Sequence, residues 1–157
     1  MSGWVDVYQR ADGRIYVSSH SRVVNGPLVV NGWCRVVAPE ATDGEVGSLV
    51  QEGLRVGEEP MRGISAEDVK ELLRPLLKLA GVRSFAALAR GTRAVGVERD
   101  ESGSYVIVST ENRGVRTGFL FTDEKVTVPA NSAVEEVGRA VRRGLGDSSI
   151  VATADQR

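Results

Sequence analysis

Few residues in this chain have types suited to catalysis, and their neighbours decide what each could do. The one histidine, His20, stands among Ser18, Ser19 and Ser21. A serine beside a histidine is the pairing of nucleophile and base used in acyl transfer. No G-x-S-x-G turn is present to raise such a serine out of a sheet. His20 is therefore expected in a loop, with a turn or surface role. The one cysteine, Cys34, follows Trp33 in an expected strand, where a free thiol is usually a small buried hydrophobe. A nucleophilic thiolate would need a nearby base or cation. One Cys and one His are too few for a Cys/His zinc site, and no G-x-x-x-x-G-K-[ST] phosphate loop occurs. No catalytic, cofactor-binding or metal-ligating residue is assigned on these grounds, and no cofactor is expected.

Carboxylates offer a second possibility. "EVGSLVQEGL" runs over 45–54 and "EVGRAVRRGL" over 136–145, so Glu45 and Glu136 are repeated 91 residues apart. They could be a duplicated acid pair. The plainer reading places both in the first turn of a helix, where the helix dipole favours negative charge. Gly47 and Gly138 recur in the same two segments, although glycine inside a helix costs about 1 kcal/mol relative to alanine. A glycine kept twice suggests a point of close backbone approach. Arg139, Arg142 and Arg143 could form a basic patch, or complement the negative end of their own helix. The acidic residues from Glu40 to Glu71, among them Glu52, Glu58 and Glu59, offer the natural surface for steering a basic partner.

The elements that must position these residues follow from pattern. Trp4 to Tyr8 reads as a strand, "RADGR" as a turn and "RIYVSS" as the second strand of a hairpin. "HSRVVNG" reads as a connection. "PLVV" and "WCRVV" flank Asn31-Gly32, the signature of a type I′ turn, and predict a second hairpin. Pro39 closes this region, because proline cannot donate to a ladder. Thr42 or Asp43 can cap a helix carrying Val46, Leu49, Val50, Gly53 and Leu54 on one face. Ser65 and Asp68 have the spacing of a capping box, and Pro75 is expected to break or kink the helix that follows. Gly81 can stop that helix, and Ser84 can cap a short one closed by Gly91. "RAVGVER" and "SYVIVST" flank "DESG", and "GFLF" and "KVTVP" flank "TDE", giving two more hairpins. Pro129 follows, and Asn131 or Ser132 starts the last helix.

The repeat is wider than the helices. "YVSSHSR" (16–22) aligns with "IVSTENR" (107–113) at the same offset of 91, and Pro39 meets Pro129 at an offset of 90. The expected architecture is α+β, with a largely antiparallel sheet built from two pseudo-repeated hairpin-hairpin-helix halves. One domain is expected over 1–146. Its halves fall at about 4–57 and 93–145, with a helical insert at about 65–91 between them, and 147–157 forms a loosely held tail.

Composition narrows the function class. The chain has 157 residues and a formal net charge of -1, so it is not a nucleic-acid binder by overall charge. No apolar run is long enough to span a bilayer and the N-terminus lacks an apolar signal core, so a cytoplasmic protein with no membrane partner is expected. A single cysteine fits a reducing compartment.

The segment "LAGVRSFAALARGTRAVGVERDESGSYVIVSTENR", with Ala80 to Phe85 at its head, resembles the immunity proteins of contact-dependent growth inhibition systems. The closing "VTVPANSAVEEVGRAVRRGL" is similar to that family's proline-then-helix ending. The resemblance implies a small cytoplasmic α+β antitoxin. Such a protein binds and blocks the C-terminal toxin domain delivered by a neighbouring bacterium, often a nuclease acting on tRNA. It brings no catalytic residues. Arg83 and Ser84 within it read as a packing residue and a helix cap. An inhibitor of a basic nuclease surface could cover it with Glu52, Glu58 and Glu59. The alternative is a small-ligand-binding or enzymatic α+β protein with a pocket between sheet and helices, lined by Cys34 or His20. A bacterial scaffold protein with no toxin is a third reading.

Overall fold

The computed structural model describes residues 3–114 and 116–151. The elements in chain order are β1 (Trp4–Gln9), β2 (Ile15–Arg22), β3 (Leu28–Val37), α1 (Asp43–Val56), α2 (Ala66–Ala80), α3 (Phe85–Ala89), β4 (Arg93–Arg99), β5 (Tyr105–Asn112), β6 (Phe119–Val128), α4 (Val134–Asp147) and β7 (Ser149–Ile150). The architecture is α+β. Six strands form an antiparallel sheet in the order β3-β2-β1-β4-β5-β6, and β7 adds a short parallel pairing to β5.

Both central strands alternate. Val5 and Val7 of β1 and Val95 and Val97 of β4 point to one face and are fully buried. They meet Val46, Val50 and Leu54 of α1 and Val137, Val141 and Leu145 of α4 in the main core. The other face carries a smaller cluster of Tyr8, Tyr16, Cys34 and Ala94 with Leu76 of α2 and Leu88 of α3.

The helices over the main core touch through backbone. A Cβ on Gly47 would overlap the Val134 carbonyl, and one on Gly138 would overlap the Asp43 carbonyl. Asp43 and Val134 are themselves 91 residues apart, so the contact is reciprocal. Gly53 and Gly144 obey the same offset and lie against the sheet, where an added Cβ would come within 2.8 Å of Val5 and of Ile107 respectively. Their carbonyls accept from sheet serines, Ser19 Oγ at 2.6 Å and Ser109 Oγ at 2.8 Å. Glu45 and Glu136 are exposed first-turn residues.

Several expectations are corrected. Asn31-Gly32 does not turn the chain, because β3 runs straight through it. The β2–β3 register shifts there, between Ser18 and His20. Gly32 does take a positive φ of 92°, and Asn31 Oδ1 accepts from Trp33 N at 3.0 Å, so the turn signal builds a bulge. "TDE" behaves alike: β6 is continuous, the β5–β6 register shifts between Val108 and Thr110, and Thr122 Oγ1 accepts from Glu124 N. Each predicted pair of hairpins is thus a three-stranded meander. β2 also extends through "HSR", which places His20 on a strand and not in a loop.

Pro75 neither breaks α2 nor begins a new helix. It stands on the exposed side, so water can serve the Glu71 carbonyl that its missing N–H leaves open. The Ser65–Asp68 capping box is formed in both directions, and Gly81, at a φ of 70°, ends the helix. Ser84 Oγ accepts from Ala87 N at 3.1 Å at the start of α3. Thr42 caps α1, whereas α4 starts after Ala133 with no side-chain cap. Pro39 and Pro129 follow the ends of β3 and β6.

The chain after Leu145 is held further than expected. α4 continues to Asp147, and Ser148 is 4% exposed. Its Oγ lies 2.8 Å from the Ala94 carbonyl and accepts from Thr110 N at 3.1 Å. The expectation for 152–157 lies outside the described residues. Because α4 is longer, Arg139, Arg142 and Arg143 are not in its last turn. Arg142 instead reaches α1, 3.0 Å from Asp43 and donating to the Ala41 carbonyl.

Candidate functional site

Two surfaces have the shape and chemistry of a site, one on each side of the sheet. The first is a cleft of about 570 Å³ between α1 and the β4–β5 hairpin. Its floor is Tyr105, whose hydroxyl accepts from Gln51 Nε2 at 3.0 Å. Arg99 stacks 4.5 Å from the Tyr105 ring centroid and donates to the Gly103 carbonyl at 2.8 Å, so its cation is held by the fold. Glu52 and Glu58 line this cleft. Glu52 is half-buried and Glu58 exposed, and both are drawn to one wall by their positions on and just after α1. Glu59 is exposed beside Glu58 but does not line the cleft. Gly57, which precedes this acidic turn, packs against Gly3 and the His20 carbonyl. The turn therefore stands at the end of the sheet where β1 begins.

The second surface is the opposite face. There Trp4, Asp6 and Tyr8 of β1 project away from the main core. Asp6 Oδ1 accepts from Trp4 Nε1 at 2.7 Å, and Oδ2 accepts from Tyr8 OH at 3.3 Å. His20 Nε2 lies 3.5 Å from Oδ2, and His20 Nδ1 is buried with no hydrogen-bond partner among the described residues. Burial, first, and then the Asp6 charge push the Tyr8 phenol well above its usual range, which keeps it a neutral donor. Phe85, Phe119 and Phe121 complete the surroundings, with Phe121 edge-on to Trp4 at 5.5 Å.

Asp6 is not singled out by the strand pattern over Trp4 to Tyr8. The available signal was a carboxylate between Trp4 and Tyr8 in an otherwise apolar strand, which puts all three side chains on one face. Cys34 lies elsewhere. It is buried in β3, where burial raises its thiol pKa and Arg35 partly opposes this, so the thiol stays protonated and weakly nucleophilic. It lines neither surface. No group of three or more metal-ligating side chains is found among the described residues, and no helix there is long and apolar enough to cross a membrane.

No curated protein matches the chain. Among solved structures it is similar to a protein of unknown function from Neisseria meningitidis. That likeness has 12% identity and a TM-score of 0.76, and covers 94% of this chain and 96% of that one. It is also similar to a CdiA-CT/CdiI toxin and immunity complex from Yersinia pseudotuberculosis, with 15% identity, a TM-score of 0.71, and 94% and 98% of the two chains covered. At such identities these likenesses carry the fold alone. The model of the CDI immunity protein family, CdiI, matches residues 4–148, from the first residue of β1 to the buried Ser148 that ties α4 to the sheet; the chain belongs to that family.

Proposed function

We propose that this immunity protein neutralises its toxin by binding the toxin domain through the acidic end of α1, and that the toxin is a nuclease with a basic surface. The observation that carries the reading is the placement of Glu52 and Glu58 in one cleft, with Glu59 beside them; Arg55 and Arg99 line the same cleft, so the three carboxylates outnumber the cations there. None of the three is paired with a cation among the described residues. Carboxylates so arranged steer a basic partner and fix its orientation. The protein acts as an inhibitor, not as a catalyst, and works in the cytoplasm, where its lone buried thiol stays reduced.

The test is charge reversal. Glu52→Lys, Glu58→Lys and Glu59→Lys together should slow association with the cognate toxin domain, and the deficit should shrink at high salt. Unchanged affinity and rate would reject the acidic surface. Growth protection by the unaltered protein, measured in parallel, tests immunity itself. Two halves of common origin fit the reciprocal glycine contacts, and we propose that origin on the same footing.

A further inference from the structure

The carboxylate on the opposite face orients Trp4 and Tyr8 and still reaches solvent. Asp6 stands in β1, paired on both sides, where a charged side chain is costly unless compensated. Its cross-strand neighbours are Ser18 and Gly96, both small, so Asp6 lies at the bottom of a depression. Gly96 is needed for this shape. A Cβ there would collide with the Trp4 indole, which lies flat across it and donates to Asp6.

Two hollows, of about 330 and 280 Å³, open on either side and share Asp6, Tyr8 and Phe85 in their walls. Apart from His20, every other residue lining them is uncharged, and no lysine or arginine is among them. The rim carries Phe121, 59% exposed. The Asp6 side chain itself keeps 24% of its exposure. A carboxylate bordered by aromatic rings, and open to solvent through an aromatic rim, has the chemistry that holds a cation.

We propose that this depression receives a lysine or arginine side chain of the toxin domain, seated against Asp6 and the Phe121 ring, both of which Trp4 touches. This rests on the immunity reading and adds to it a second contact. The acidic turn after α1 stands at the same end of the sheet as Trp4 and His20, so one partner gripping that end reaches both. Aromatic packing accounts for a short-range grip here, whereas the exposed glutamates act at longer range.

Two experiments decide it. In calorimetry with the toxin domain, Asp6→Asn and Phe121→Ala should each weaken binding about tenfold or more, with the urea midpoint of the Phe121 variant unchanged. Binding within about twofold of the unaltered protein would overturn the proposal while leaving immunity standing; no binding by the unaltered protein would overturn both. The second experiment needs no toxin and no folded variant. Millimolar n-butylammonium and ethylguanidinium should shift the Trp4 indole N–H resonance, and n-butanol should not. The stronger of the two probes tells lysine from arginine, and no shift with either overturns the proposal. A dimer in sedimentation that Phe121→Ala disperses would put a second copy in the depression and also overturn it.

Discussion

The two faces of the sheet are held by opposite means. On one, α1 and α4 lie so close that glycine carbonyl contacts replace side chains, and aliphatic residues fill what remains. On the other, α2 packs mainly over β3 with α3 beside it, and aromatic rings with one carboxylate floor the rest. The joint between α1 and α4 leaves no room for side chains, while the exterior of those helices and the opposite face of the sheet keep chemistry accessible. A fold can therefore separate the part that must be invariant in shape from the surfaces that are free to carry chemistry.

Substitutions should reproduce that contrast, starting with the largest effects. Gly138→Ala forces a methyl group onto the Asp43 backbone, and Gly47→Ala does the same at Val134. Each should cost about 3 kcal/mol or more in urea unfolding, even after the roughly 1 kcal/mol that alanine gains in a helix. If either variant matched the unaltered protein, the helices would not be in backbone contact. Ser148→Ala comes next, at about 2 kcal/mol, since it strands the buried Thr110 N–H. Hydrogen exchange at Thr110 should rise with it.

Ser65→Ala removes a helix cap and should lower the melting temperature by the equivalent of about 1 kcal/mol. Its partner Asp68 adds a pH dependence. The Ser65 backbone and side-chain hydrogen bonds hold the exposed Asp68 carboxyl below its ordinary value. A group depressed on folding stabilises above its unfolded pKa and loses that contribution as pH falls through the folded one. The stability gap between the unaltered protein and Asp68→Asn should therefore close in acid. Phe121→Ala comes last, within about 0.5 kcal/mol in thermal unfolding. A large loss there would make the aromatic rim part of the core and erase the contrast between the faces.

Most of the architecture is readable in the chain because its signals are local. Ser65, Asp68, Gly81 and Ser84 act on backbone atoms a few residues away, and Val5, Val7, Val95 and Val97 alternate as their burial requires. The misreadings share a physical cause. Asn31-Gly32 satisfies the same φ requirement in a bulge as in a hairpin, and only pairing with β2 across the sheet decides between them. Pro75 is harmless because α2 turns it to water, a fact set by the face that packs on β3. Ser148 is held by Ala94 and Thr110, far away in sequence. Among the proposed contact residues, the acidic turn at Glu58 and Glu59 is visible as a run of charge. Asp6 is not, because its setting depends on Gly96, Trp4 and Phe121 converging from three strands.

The reciprocal glycines also bear on inheritance. Because the closest α1–α4 approach is between main-chain atoms, a side chain is forbidden at positions 47 and 138. The outward residues Glu45, Ser48, Glu52 and Glu136 can be exchanged without touching the joint, whereas Arg139 and Arg142 pair with Asp43 across it. Much of the helical exterior can thus be rewritten one substitution at a time on a frame that does not have to be refitted.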